Sequence, residues 1–175
     1  QSMTELLKLP GIGNYTAAAI ASISFNEPVP VVDGNVYRVL ARYFGVDVDI
    51  SSGKAYRHFY KLAETVIDKK DPANFNQAIM EFGALCCTPK QPGCAACILQ
   101  ENCVAFNHSL QHKLPLKTKK TKVRQRYLHY FLVRKGNRIL MKERNENDIW
   151  KGLYEFPIME TSTPTNFDDL VHPLL

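Results

Sequence analysis

Apolar positions along this chain follow two periods. As far as residue 107 the spacing is helical; beyond it, strand-like runs take over. Glu5-Leu6-Leu7-Lys8-Leu9 is a short helical pattern stopped by Pro10. Pro10-Gly11-Ile12-Gly13 reads as a turn whose two glycines can take positive φ, and Thr16 to Ala21 opens a helix of strong formers. Val29-Pro30-Val31-Val32 is extended. After Asp33-Gly34-Asn35, the residues Val36, Val39, Leu40, Tyr43 and Phe44 recur at helical spacing until Gly45 stops them. The next helix lies between Ser51 and Lys70, capped by Ser51 or Ser52, with Tyr56, Phe59, Tyr60, Ala63, Val66 and Ile67 as its core stripe. Asp71-Pro72 starts another, with Phe75, Ala78, Ile79, Phe82 and Leu85 facing inward, running to Cys86. Further on, Tyr127–Val133 and Arg138–Arg144 read as two strands joined by a turn at Gly136-Asn137.

The 175 residues suffice for one domain or two small ones, and 45% hydrophobic with 22% charged residues is an ordinary globular composition. No apolar run approaches membrane-spanning length, and the N-terminus has no signal-peptide pattern. The chain begins within a turn of a core helix, an abrupt start that predicts a fragment. The net charge of +5 is unevenly placed. Seven Lys and Arg fall between His108 and Arg126 with no acidic residue among them, while the remaining 15 are outnumbered by 17 Asp and Glu. The basic run separates the two patterns, so the division is a helical unit at 1–107, a basic linker at 108–124 and a second unit at 125–175. Contact of the linker with nucleic-acid phosphates is a further expectation.

Three features carry chemistry. The first backbone N–H groups of the helix after the glycine turn lack internal partners, and the turn lets a phosphate approach them. Pro10, Gly11, Ile12, Gly13, Asn14 and Thr16 are therefore candidate backbone-gripping positions that read little base sequence; an ordinary helix–turn–helix corner is the plain alternative. Asp33 sits at or just before a helix N-terminus, where it can be a simple cap, a reactive carboxylate, or both. Cys87, Cys94, Cys97 and Cys103 have the spacing C-x6-C-x2-C-x5-C in a Pro/Gly-rich loop. Four thiolates can hold zinc or an iron–sulfur cluster, and spacing alone does not separate the two. Disulfides are disfavoured because nothing suggests secretion. Cys86 lies outside the spacing and is assigned to packing.

LPGIG followed by VVDGNVYRVLARYFG resembles the helix–hairpin–helix DNA glycosylases that carry a Gly/Pro-rich loop and an aspartate, and within them the members that remove adenine. The resemblance covers nearly the whole chain. It implies a mainly α fold: a helix–hairpin–helix glycosylase core with a four-Cys iron–sulfur loop, then the start of a Nudix-like α+β domain. It implies a [4Fe–4S] cluster on Cys87, Cys94, Cys97 and Cys103. Trp150-Lys151-Gly152-Leu153-Tyr154-Glu155-Phe156-Pro157 is similar to a stretch of the Nudix-like domain that recognises 8-oxoguanine in these proteins. The metal-binding Glu box of a true Nudix hydrolase is missing, which argues against a nucleotide hydrolase.

The implied reaction is hydrolysis of the N-glycosidic bond of adenine mispaired with 8-oxoguanine or guanine, in double-stranded DNA. The base is extruded, an acid protonates it, and a carboxylate stabilises an oxocarbenium-like sugar. Asp33 matches the carboxylate, Asn35 lies beside it, and Gln77 matches a residue touching the flipped adenine. The acid is a glutamate that the family carries upstream of position 1; neither Glu5 nor Glu27 matches its context, so the chain alone is expected to be short of activity. Strand-cutting relatives use a lysine two residues after the second hairpin glycine as a Schiff-base nucleophile. Tyr15 stands there, which predicts glycosylase action without lyase action. A bifunctional glycosylase-lyase and a non-catalytic, metal-stabilised DNA-binding module are the alternatives. The expected protein is a monomer without membrane contact, in bacterial cytoplasm or in a eukaryotic nucleus or mitochondrion.

Overall fold

The computed structural model describes residues 2–119, 124–166, 168 and 170. The chain divides into two units, Gln1–Lys120 and Thr121–Leu175.

The first unit is helical. Helix α1 (Met3–Leu6) is held by a capping box in which the Ser2 hydroxyl and the Glu5 carboxylate each serve the other's backbone. Helix α2 (Asn14–Phe25) starts two residues earlier than the alanine run suggested and buries Ala17, Ala18 and Ala21. Helix α3 (Gly34–Phe44) is capped by Asp33 and buries Val36, Val39 and Leu40. Helix α4 (Ala55–Val66) packs Phe59 and Ala63 against α3, with Tyr37 meeting Phe59 edge to face at 5.0 Å. Helix α5 (Pro72–Leu85) is capped by Asp71, with Pro72 in the first turn. A 3-10 turn at Cys94–Ala96 and helix α6 (Val104–Asn107) complete the unit.

Two expectations fail here. Neither Ser51 nor Ser52 supplies a side-chain cap to α4, which begins three residues later, at Ala55. Asp49 claims Ser51 instead, accepting from its N–H at 2.8 Å and its hydroxyl at 2.6 Å. On α5, Leu85 is 80% exposed, and Phe75, Ile79 and Phe82 line an open apolar groove of about 450 Å³ with Val39 and Tyr43. The buried face of α5 carries Asn76 and Gly83, because α2 and α3 approach its backbone closely there.

Asn76 has no exposed surface. Its amide nitrogen donates to the Val29 carbonyl and its oxygen accepts from the Val31 N–H, each at 2.9 Å. The extended Val29–Val32 segment has no strand partner, so Asn76 supplies the backbone pairing that burial requires. The beginning of the basic segment is also docked. The Ile50 N–H donates to the Leu116 carbonyl at 2.9 Å, and Asp49 accepts from the Thr118 N–H and hydroxyl.

In the second unit the long run at Tyr127–Val133 is divided. Strand β1 (Tyr127–Tyr130) pairs antiparallel with β6 (Ile158–Thr161). Only β2 (Arg134–Lys135) and β3 (Arg138–Ile139) form the expected hairpin around Gly136-Asn137. Strand β4 (Lys142–Glu143) pairs with β5 (Tyr154–Glu155), and the turn at Trp150–Gly152 leads into β5. Arg126 joins Asp148 and Glu160 at 2.6 Å each, and Arg144 pairs with Glu155.

Replacing Asn76 by Ala leaves a buried N–H and a buried carbonyl without partners. Unfolding free energy should fall by about 1–3 kcal/mol for each group, read by chemical denaturation. The four Ser51 and Thr118 contacts hold the Asp49 carboxyl well below its ordinary value of 3.8. A depressed carboxylate stabilises the fold above its unfolded value and ceases to as pH falls through the lower folded value. Asp49→Asn should therefore loosen the segment already at neutral pH, and trypsin should cut after Lys117 faster than in the parent chain.

Candidate DNA interface and active site

The hairpin presents backbone. Gly11 has φ +81, which swings the chain back so that Gly13 becomes the N-cap of α2. Gly13 offers no side-chain cap, so the leading N–H groups of a 12-residue helix stay open toward an incoming anion. Pro10, Gly11, Gly13 and Asn14 are exposed; Ile12 and Thr16 are half-buried. Tyr15 is 49% exposed, and its hydroxyl donates to the Met80 sulfur at 3.9 Å.

Asp33 is half-buried and held by three donors. One oxygen accepts from the Asn35 and Val36 N–H groups, each at 2.8 Å, and the other from the Asn35 side-chain amide at 3.1 Å. The carboxylate is thus both the cap of α3 and a fixed anion. Asn35 is oriented in turn by Arg38, whose guanidinium donates to its amide oxygen at 2.8 Å. The same guanidinium donates to the carbonyls of Gly83 at 2.6 Å and Cys87 at 2.7 Å. A continuous hydrogen-bonded path therefore runs from Asp33 through Asn35 and Arg38 to Cys87. Burial lowers the Arg38 pKa from its ordinary value, while the Cys87 thiol opposes that shift.

Gln77 is exposed on α5 and donates to Glu81 at 2.7 Å. It makes no hydrogen bond to Asp33 or Asn35, but it lies one helical turn from Met80, which Tyr15 touches. Glu27 accepts from the Met3 N–H at 2.7 Å and Glu5 belongs to the α1 cap. Both carboxylates are occupied by helix ends.

The cysteines gather where α5 ends. Cys87, Cys94, Cys97 and Cys103 line one small cavity, and Cys86 lines it with them. Assigning Cys86 to packing overlooked this. One turn after Arg38, the guanidinium of Arg42 donates to the Cys87 sulfur at 3.3 Å and to the carbonyls of Thr88, Pro89 and Leu114 at 2.7–3.0 Å. Burial pushes the Cys94 thiol up, and the neighbouring thiols of Cys87, Cys97 and Cys103 add to it. Among the described residues no three Cys, His, Asp or Glu side chains converge closely enough to hold a single metal ion. The donor set facing the cavity is nonetheless all sulfur with a guanidinium beside it, which fits a soft, anionic iron–sulfur group.

No protein-family model matches the chain. It is 36% identical over 162 residues to an adenine DNA glycosylase of Buchnera aphidicola from Schizaphis graminum, covering 93% of this chain and 47% of that one. It is 39% identical over 168 residues to the adenine DNA glycosylase of Arabidopsis thaliana, covering 88% of this chain and 27% of that one. Among solved structures, a thermostable thymine-DNA glycosylase superposes with a TM-score of 0.56 at 32% identity, over 61% of this chain and 49% of the other. A non-covalent complex of endonuclease III with DNA gives 0.52 at 28%, over 63% and 50%.

The chain belongs to the helix–hairpin–helix DNA glycosylases. Within them, its curated relatives are adenine DNA glycosylases. The chain spans less than half the length of these relatives. Among the described residues, no helix of this glycosylase chain is long and apolar enough to cross a membrane.

Gly83 sets the spacing of the glycosylase site. A Cβ there would lie 2.8 Å from Asn35 Cβ and 3.0 Å from the Asn35 carbonyl oxygen, so backbone would have to move. Gly83→Ala should lower stability and displace Asn35. Thermal unfolding reads the first effect, and the NMR shift of the Asn35 side-chain amide reads the second.

Proposed function

We propose that the chain carries the base-excising helical unit of an adenine DNA glycosylase and the beginning of a Nudix-like domain that recognises 8-oxoguanine. The observation that supports this best is the fixed Asp33 carboxylate at the head of α3. It occurs in a helical unit whose preceding hairpin presents the open N-terminus of α2.

The hairpin grips the DNA backbone of a duplex with an A:8-oxoguanine or A:G mispair, through N–H groups that read charge rather than sequence. The mispaired adenine is extruded at a cost of a few kcal/mol. Asp33 has about four lone-pair sites, and three donors occupy them in this structure, leaving acceptor capacity for the developing sugar cation. Because the carboxylate is already positioned, it stabilises that cation without reorganisation. Asn35 orients it. Gln77 exchanges its bond to Glu81 for the adenine edge, which suits an amide offering both donor and acceptor. Tyr15 cannot form a Schiff base, so the abasic strand is left uncut. Glu5 and Glu27 are engaged at helix ends, and we assign the proton donor to neither.

Cys87, Cys94, Cys97 and Cys103 hold a [4Fe–4S] cluster in this reading; each iron takes one thiolate, so the sulfurs need not meet at one point. When bound, the cluster ties the loop to the ends of α3 and α5. Residues 1–107 are the glycosylase core, 108–124 the basic linker and 125–175 the partial Nudix-like domain of a monomeric protein. It acts in the cytoplasm of a bacterium or in the nucleus or mitochondrion of a eukaryote.

The test is adenine release from a duplex carrying A opposite 8-oxoguanine, read with and without alkali, on this chain and on a version extended upstream. Release with strand breaks appearing only after alkali is expected. Asp33→Asn should reduce release about 10²–10³-fold while DNA binding persists. Breaks without alkali would contradict the role given to Tyr15. Absence of release by the extended version would make the chain a DNA-binding module.

A further inference from the structure

Five thiols face the cavity at the end of α5, one more than a four-Cys cluster needs. The extra one is Cys86. Its backbone is pinned: the N–H donates to the Phe82 carbonyl at 3.0 Å, and the carbonyl accepts from the Gly93 N–H at 2.9 Å. The second bond draws the Gly93-Cys94 turn against Cys86, whose sulfur stands only 4.0 Å from where a Cβ on Gly93 would be.

The five sulfurs are not equivalently placed. Cys87 accepts from the Arg42 guanidinium at 3.3 Å, and the Cys103 thiol donates to the Arg42 carbonyl at 3.6 Å, so both are held on the α3 side. Cys86 has a different neighbour. Burial pushes its thiol up, and the sulfur that adds most to the shift is Cys97. Cys97 ends the 3-10 turn and is followed by Ile98, which is 88% exposed. Of the four spaced cysteines, Cys97 thus adjoins the most open stretch of the loop and has Cys86 beside it.

Resting on the reading that this cavity holds an iron–sulfur cluster, we propose that Cys86 is a reserve ligand able to replace Cys97. In that exchange the Cys86 thiol releases its proton to solvent. Its sulfur then forms the iron–sulfur bond that Cys97 otherwise makes, and no electron is transferred. The shift needed is local, because α5 and the Gly93 contact already hold Cys86 at the cavity wall. A loop ligand lost to oxidation or substitution then does not release the cluster.

The test loads the chain with ferrous iron and sulfide without oxygen, and reads iron per protein and the visible absorption of the cluster. Wild type and Cys86→Ala should load alike. Cys97→Ala should keep most of the iron, the double variant C86A/C97A should lose it, and Cys103→Ala should lose it because Cys86 is not placed at that corner. Thiol alkylation gives a second reading: loaded wild type should have one reactive thiol, Cys86, and loaded Cys97→Ala none. Loss of the cluster from Cys97→Ala would overturn the proposal, as would its retention in C86A/C97A. If Cys97→Ala is insoluble, it and the milder Cys97→Ser are refolded with iron and sulfide present, and failure of both to load counts against a reserve ligand. Failure of the wild type to load would overturn the cluster reading itself, and the proposal with it.

Discussion

A guanidinium buried in a protein must have its donors met, or the fold loses several kcal/mol to desolvation. Helix α3 buries two of them, Arg38 and Arg42, one turn apart on one face. No carboxylate pairs directly with either. Arg38 takes the carbonyls of Gly83 and Cys87 and the amide oxygen of Asn35; Arg42 takes carbonyls of Thr88, Pro89 and Leu114. The last turn of α5 has carbonyls without intrahelical partners, and a helix C-terminus favours a nearby cation. The two arginines therefore satisfy the end of α5 while that end satisfies them. The cysteine loop, the return of the chain at Leu114 and the head of α3 all depend on this exchange.

Its consequence for chemistry is positional. Asp33 needs its side chain fixed before a reaction in which positive charge develops, since preorganised charge is what stabilises a transition state. Asn35 fixes it, Arg38 fixes Asn35, and the backbone of Cys87 fixes Arg38. On the opposite side of α5, Asn76 holds the extended segment leading into Asp33. Helix α5 thus braces the carboxylate from both ends of the approach, and Gly83 allows the close packing in between.

Much of this was legible from sequence. The Pro10–Gly13 turn, the extended Val29–Val32 run and the cap at Asp33 follow from residues whose backbone preferences are strong and local. What stayed hidden involves partners distant in the chain. Arg38 and Arg42 read as solvated positions on an amphipathic helix, and only the end of α5 explains their burial. Asn76 looks like a surface polar residue until the unpaired Val29–Val31 backbone is beside it. Ser51 looks like a helix cap, but Asp49 competes for it. Cys86 breaks the four-Cys spacing, and only the folded loop places it with the others. In the second unit, an apolar run that reads as one long strand is shared between two short ones because β6 comes back to pair with β1.

The central claim is that Arg38 transmits the position of the cysteine loop to Asp33. Amide hydrogen exchange at Asn35 and Val36, whose N–H groups donate to Asp33, measures this most directly when the parent chain is compared with Arg38→Met. Faster exchange at those two amides, with α2 amides unchanged, is the result the account predicts. Unchanged protection at Asn35 and Val36, in a variant whose cysteine-loop amides have opened, would contradict it.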